Sequence, residues 1–245
     1  MNSNNVNNRN WLSLSAYLTI LILFSLSAMA QQPAGTSGTL GSKNRTIITI
    51  SSFTAQGKIQ ELKTELNIGL TEGLTVNEIK EVLVHTYAYC GFPRSITGLQ
   101  TFMQVIEERK AKGIRDNIGK QASPVAGNGS KYDRGKKILS DLTGTPPPAK
   151  LSGYSAFAPA IDTFLKEHLF ADIFERDVLT YAQRELVTIS VISAIGNADP
   201  MLRSHLNISL RAGWTAAQLE EFIAVITPTI DSEKAAAAKA VLMGL

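Results

Sequence analysis

Cysteine is almost missing from this chain: Cys90 is the single one in 245 residues. An intrachain disulfide is therefore excluded, and so is any C-x-x-C redox or metal motif. A surplus of one charge is missing too. Lysine and arginine number 24 against 21 aspartates and glutamates, a balance that gives no footing for nucleic acid. The basic clusters Arg109-Lys110-Ala111-Lys112 and Arg134-Gly135-Lys136-Lys137 are interleaved with Glu107, Glu108 and Asp133, and they read as solvated helix faces. Runs with the alternating period of a β-strand do not occur, so the fold class expected is all-α.

Long apolar runs are also scarce, and the one that stands out lies at the start. Residues 1–11 are polar with one basic residue, Arg9; residues 12–27 are mostly apolar; Ala28-Met29-Ala30 then places small residues before Gln31. This is the pattern of a secretory signal peptide over residues 1–30, cleaved after Ala30, with export to a bacterial periplasm expected. The residue directly after the cleavage point is Gln31 and not a cysteine, so lipid attachment there is not expected. About 215 residues remain, enough for one sizeable core or two small ones. Residues 31–43, rich in Gly, Ser, Thr and Pro, are expected to form a flexible leader.

What the chain has instead is a repeat. The stretch from Arg184 to Gly213 reads as two helices joined by a turn at Gly196-Asn197-Ala198-Asp199-Pro200. Arg45 to Gly57 aligns with Arg184 to Gly196, and after a one-residue gap Leu62 to Leu99 aligns with Leu202 to Lys239. Identical pairs include Arg45/Arg184, Thr49/Thr188, Ile50/Ile189, Ser51/Ser190, Gly57/Gly196, Leu66/Leu206, Gly73/Gly213, Thr75/Thr215 and Glu81/Glu221. Two copies are too few for a solenoid, so a duplicated helical unit around a shared core is expected. The boundaries are 44–121 for the first copy, 122–156 for a linker with a short helix near 131–142, and 157–245 for the second copy.

Helices are expected near 46–56, 60–71, 76–89 and 94–112 in the first copy. Thr75 with Glu78 and Thr215 with Gln218 have the spacing of capping boxes. Each follows a glycine, Gly73 or Gly213, suited to a left-handed helix end. Ser123-Pro124 with Gly127-Asn128-Gly129, and later Pro146-Pro147-Pro148, mark breaks. Phe157 to Phe174 reads as an aromatic-rich helix.

The run Arg184-Glu185-Leu186, an apolar helix, then His205, Gly213 and Thr215, resembles the carboxymuconolactone decarboxylase family. In the first copy, Gly73 to Pro93 (GLTVNEIKEVLVHTYAYCGFP) resembles that family's G-L-T-x-x-E-I-x-E run ending in Y-x-G-F-P. The resemblance covers about Arg45 to Arg109 and Phe157 to Leu245. It implies an all-α fold built from a duplicated AhpD-like helical unit. It also implies either lactone decarboxylation or, as in the related AhpD-like alkylhydroperoxidases, thiol-dependent peroxide reduction.

AhpD-like enzymes carry a glutamate, a C-x-x-C pair and a following histidine. Glu185 and His205 match the glutamate and histidine, while Ala198 and Met201 fall at the two cysteine positions. Peroxide reduction needs a thiolate and a resolving thiol, so an AhpD-like peroxidase is disfavoured. The first copy has Thr46 and Glu65 where the second has Glu185 and His205. A glutamate and a histidine without cysteine suit proton transfer, as lactone decarboxylation requires. Helix geometry offsets the two side chains by about one turn, close enough to share a pocket.

Glu185 and His205 are thus the candidate catalytic residues. Arg184 could pair with a substrate carboxylate. His85 and Tyr89 share a helix face before the Gly91-Phe92-Pro93 turn and complete the substrate-binding candidates. A composite pocket follows, one copy supplying the tyrosine and turn, the other the glutamate and histidine. No metal or cofactor is expected, and Cys90 reads as a small buried hydrophobe. The expected ligand is a small carboxylic acid or lactone, and the expected assembly a homo-oligomer, trimer or hexamer by resemblance. The alternative is a non-catalytic helical oligomer used for binding or assembly.

Overall fold

The protein is described by a computed structural model covering residues 39–125 and 127–245. The expected signal peptide, and the leader as far as Gly38, lie outside the described residues. Every regular element among the described residues is helical, as the resemblance implied. None of these helices is long and apolar enough to cross a membrane.

The first copy comprises α1 (Gly41–Gln56), α2 (Ile59–Thr71) and α3 (Val76–Ala111). α1 begins within the segment expected to be leader. The cause is Leu40, which is buried and donates its N–H to Glu221 Oε2 at 2.7 Å. Gly57, at φ 70°, ends α1 in the left-handed region where a Cβ is penalised. Both expected capping boxes are formed, with reciprocal side-chain-to-backbone bonds at Thr75/Glu78 and at Thr215/Gln218. A third, at Thr180/Gln183, starts α7.

Where two helices were expected on either side of Gly91-Phe92-Pro93, α3 runs through with a kink. Gly91 sits at φ 79°, ψ 163°, a conformation open almost only to glycine. Pro93 two residues on cannot donate to the helix ladder and would crowd the carbonyl four residues back. Side chains add bonds across and beside the kink. Ser95 Oγ donates to the Leu83 carbonyl at 2.7 Å, and the Cys90 thiol donates to the Thr86 carbonyl at 3.1 Å.

Between α3 and α7 lie α4 (Lys131–Thr143), α5 (Gly153–Phe157), α6 (Pro159–Phe164) and a π-helix, π1 (Leu165–Phe174). The single helix expected over 157–174 is broken by Pro159 and widened after it. π1 and α4 approach so closely that a Cβ on Gly135 would lie 1.7 Å from the Lys166 carbonyl oxygen. A trio of buried Asp162 and Lys166 with half-buried Tyr132 pins this pair of elements. Lys166 Nζ donates to both oxygens of Asp162 at 2.7 Å, and Tyr132 Oη donates to Asp162 Oδ2 at 2.7 Å.

The second copy continues with α7 (Tyr181–Ile195), α8 (Asp199–Arg211), α9 (Ala216–Ile226) and α10 (Ser232–Met243). α1 and α7, the first helices of the two copies, lie against each other at the centre. Ile47, Ile48 and Ile50 on one, and Leu186, Val187 and Ile189 on the other, are fully buried. Each such side chain contributes about 1.5–3 kcal/mol relative to exposure, so this pair anchors the core.

The two copies are also cross-linked by a matching pair of ion pairs. Arg184 of the second copy reaches Glu81 of the first at 2.9 Å. Arg45, its counterpart in the first copy, pairs with Glu221, the counterpart of Glu81. The duplication seen in the sequence is thus an interlock in space.

Candidate functional site

The site lies where α7, α8 and the first half of α3 meet. Glu185 and Arg184 sit one turn into α7, and His205 sits midway along α8. The turn at Gly196-Asn197 folds α8 back along α7, and Asn197 adopts φ 55° to make it. This return brings His205 to Glu185: Nδ1 lies 2.9 Å from Oε2. The helical count left these side chains about a turn apart; in the structure they touch.

A carboxylate can only accept, so His205 donates from Nδ1, and its Nε2 is left without a hydrogen bond inside the protein. The Glu185 side chain is 1% exposed and that of His205 14%, so the imidazole is the open end of the pair. The second carboxylate oxygen, Oε1, is buried without a hydrogen bond.

Tyr89 of α3 closes the other side. Its ring meets the His205 ring edge-on at 5.8 Å and tilts against His85 at 5.5 Å. The Tyr89 hydroxyl is buried and makes no well-formed hydrogen bond. Burial and the nearby Glu185 charge push its pKa above the usual phenol range, and the Thr188 hydroxyl offsets this only in part. The structure therefore brings together residues of both copies, Tyr89 from one and Glu185 and His205 from the other.

Behind them runs a polar ladder. Glu81, His85 and Tyr89 recur at four-residue steps on α3, facing Arg184 and Thr188 on α7. Arg184 Nη2 bonds Glu81 Oε1 at 2.9 Å and the Arg176 carbonyl at 2.6 Å. Arg176 itself adds two bonds to Glu81, at 2.7 and 3.0 Å. Burial raises the Glu81 pKa, but these two guanidiniums outweigh it and hold the carboxyl below its usual range. His85 lies between Arg184 and Thr188, with Phe174 of π1 edge-on to its ring at 5.2 Å.

Arg184, expected at a substrate carboxylate, is instead completely buried with both Nη atoms engaged inside the protein. Only its Nε lacks a partner. His85 is equally enclosed. Glu81, Thr188 and Phe174 were not singled out from sequence. Two of the three carried a signal, since Glu81/Glu221 and Thr49/Thr188 are identical pairs of the repeat.

The first copy has no equivalent site. Glu65, at the position of His205, accepts from Thr49 Oγ1 at 2.7 Å. Thr46, at the position of Glu185, donates to the Lys43 carbonyl at 2.9 Å. No group of three or more His, Cys, Asp or Glu among the described residues is arranged to hold a metal ion. Cys90 is half-buried, and burial pushes its thiol up to about 11.

Together these features define a duplicated all-helical protein with one composite site, built around a buried glutamate and a histidine. The chain belongs to the carboxymuconolactone decarboxylase family, which residues 26–102 and 159–243 both match. No curated protein matches the chain.

Proposed function

We propose that this chain is an exported enzyme acting on a small lactone or oxo acid by acid–base chemistry at Glu185 and His205, without a cofactor. The observation that carries the reading is the 2.9 Å bond from His205 Nδ1 to Glu185 Oε2. It fixes the ring and its tautomer, and leaves Nε2 toward the open side.

In decarboxylation the bond between the carboxylate and its neighbouring carbon breaks and carbon dioxide leaves. The electron pair passes into the adjoining carbonyl as an enolate. His205 takes up a proton from solvent at Nε2 and delivers it to carbon, while its Nδ1–H stays hydrogen-bonded to Glu185. Glu185 holds the imidazole in line throughout. Tyr89 Oη is a donor beside the dyad whose one internal neighbour, the Thr188 hydroxyl, is not held in a well-formed hydrogen bond, so it suits an oxygen of the substrate.

Support for export is the apolar stretch 12–27 with its Ala28-Met29-Ala30 end. Support for a homo-oligomer, trimer or hexamer, is the apolar face of α5 and α6. Phe157 is 92% exposed there, beside exposed Tyr154, Ile161 and Phe164. Light scattering on the mature protein should give a multiple of the chain mass; a stable monomer at micromolar concentration would overturn that part.

The test of the function is a screen of residues 31–245 against lactone and oxo acids, following carbon dioxide release. Turnover that vanishes in His205→Gln is expected. Turnover retained in that variant would leave the dyad without a role and favour a binding or assembly protein.

A further inference from the structure

The ladder between α3 and α7 determines where its hydrogens lie. Arg184 Nη1 is 3.2 Å from His85 Nδ1. A guanidinium has no lone pair with which to accept, so Nδ1 must accept and carries no proton. The ring's proton therefore sits on Nε2, which lies 3.0 Å from Thr188 Oγ1. Thr188 donates its own hydrogen to the Arg184 carbonyl at 3.0 Å, so its oxygen is an acceptor toward His85. Both contacts of the imidazole agree on one state.

We infer that Arg184 is a positioning residue: it locks His85 as the neutral Nε2–H tautomer, and the locked ring in turn sets Tyr89 against the Glu185–His205 dyad. The effect on chemistry rests on the function proposed above; the tautomer does not.

The charges around the ring point the same way. Arg184 faces it from α7 and His205 from α8, and burial together with both of these drives the His85 pKa well below the ordinary imidazole range. Glu81, one turn earlier on α3, is already paired with Arg176 and Arg184. Glu185 of α7 is paired with His205, and Tyr89 is uncharged. From π1 only the apolar Phe174 meets the ring. No carboxylate is left to stabilise a second proton on His85.

The other copy supplies an internal comparison. Its Arg45–Glu221 rung persists, yet Val225 and Thr229 stand where His85 and Tyr89 stand in the first copy. The rungs above the ion pair occur only where a Glu–His dyad is present. A purely structural ladder would have no reason to follow the dyad.

The experiment is ¹⁵N NMR of the mature protein labelled in histidine, with signals assigned through His168→Gln and His205→Gln. His85 should show an unprotonated Nδ1 and a protonated Nε2, unchanged from pH 8 to pH 5. A protonated Nδ1 in that range overturns the inference. In the Glu81→Gln/Arg184→Gln double variant, which removes both charges together, His85 should populate both tautomers. The ring protons of His205, which sense the Tyr89 ring 5.8 Å away, should shift with it. Unaltered His85 and His205 signals in that variant also overturn the inference.

Should the double variant not fold, Thr188→Val serves. It removes the Nε2–H acceptor but leaves Arg184, so the tautomer should persist, and a switch of tautomer would remove Arg184 from its role. Failure of the dyad reading shows separately, as turnover that survives His205→Gln with the His85 spectrum unaltered.

Discussion

Arg184 and Glu81, with side chains 0% and 3% exposed, meet at 2.9 Å across the boundary between the two copies. Removing one partner of such a buried pair strands the other charge, which costs about 3–5 kcal/mol. Glu81→Gln and Arg184→Met should each lower stability by that amount in denaturant titrations. Arg45, in the matching pair with Glu221, is 49% exposed. Arg45→Ala should cost under about 1 kcal/mol, because solvent already screens it. Equal losses at both pairs would show that burial does not separate them.

Turnover should depend steeply on the dyad. Groups that transfer protons contribute about 10²–10⁴-fold, and His205→Gln should lose that much with its melting temperature little changed. Glu185→Gln keeps an acceptor for Nδ1–H but not the charge, so a smaller loss is expected. Tyr89→Phe should raise KM more than it lowers kcat, as expected of a hydroxyl that contacts substrate. Steady-state kinetics on the substrate found by screening would check all three.

Acid should destabilise the fold earlier than its carboxylates alone would. His85 resists protonation when folded, whereas in the unfolded chain it titrates near about 6.5. The unfolded state thus binds the extra proton, and stability, complete above that pH, falls as pH drops below it. The slope approaches about 1.4 kcal/mol per pH unit for one proton. Glu81, whose pKa is lowered, adds its own loss only further down, as pH falls through its folded value. His85→Gln should flatten the decline between about pH 6.5 and 4.5, measured as denaturation midpoints against pH.

Cys90 should be nearly inert in the native protein. With its thiol pushed up to about 11, the reactive thiolate is roughly 10²-fold rarer at pH 8 than for a free cysteine. Alkylation by iodoacetamide should be slow until the chain is unfolded. Hydroperoxide turnover should be absent, and Cys90→Ser should leave turnover of an acid substrate intact. Thiol-dependent peroxide reduction lost in that variant would make Cys90 a peroxidatic centre instead.

Gly135→Ala should separate α4 from π1. The added methyl would lie 1.7 Å from the Lys166 carbonyl oxygen, a backbone atom that cannot swing aside. Overpacking of this kind costs about 1–3 kcal/mol, so a lower melting temperature is expected. Because π1 carries Phe174, which covers His85, the His85 signals should also change.

Much of this architecture was legible because it rests on local chemistry. The Thr75 and Thr215 capping boxes and the glycines before them fix helix starts within a few residues, and the repeat register paired the helices. The kink at Gly91 was visible only as a turn, since the sequence does not say whether helical bonding resumes across Pro93. π1 was read as ordinary helix because its apolar pattern does not separate a π-helix from an α-helix. In the site, Glu185 and His205 were found through resemblance, and their contact depends on how α8 folds back at Asn197. Arg184 and His85, both expected at the substrate, are enclosed instead. Exposed and buried arginines look alike in sequence, and only the identical Glu81/Glu221 pair hinted at where the Arg184 guanidinium goes.

Since Thr46 and Glu65 stand where Glu185 and His205 stand in the other copy, ligand stoichiometry should be one per chain, not two. In an assembly of three chains that means three occupied positions among six structurally related ones. Titration calorimetry would then count half as many ligands as repeats. A chain whose halves have diverged in this way can change one copy for packing alone while the other keeps the chemistry.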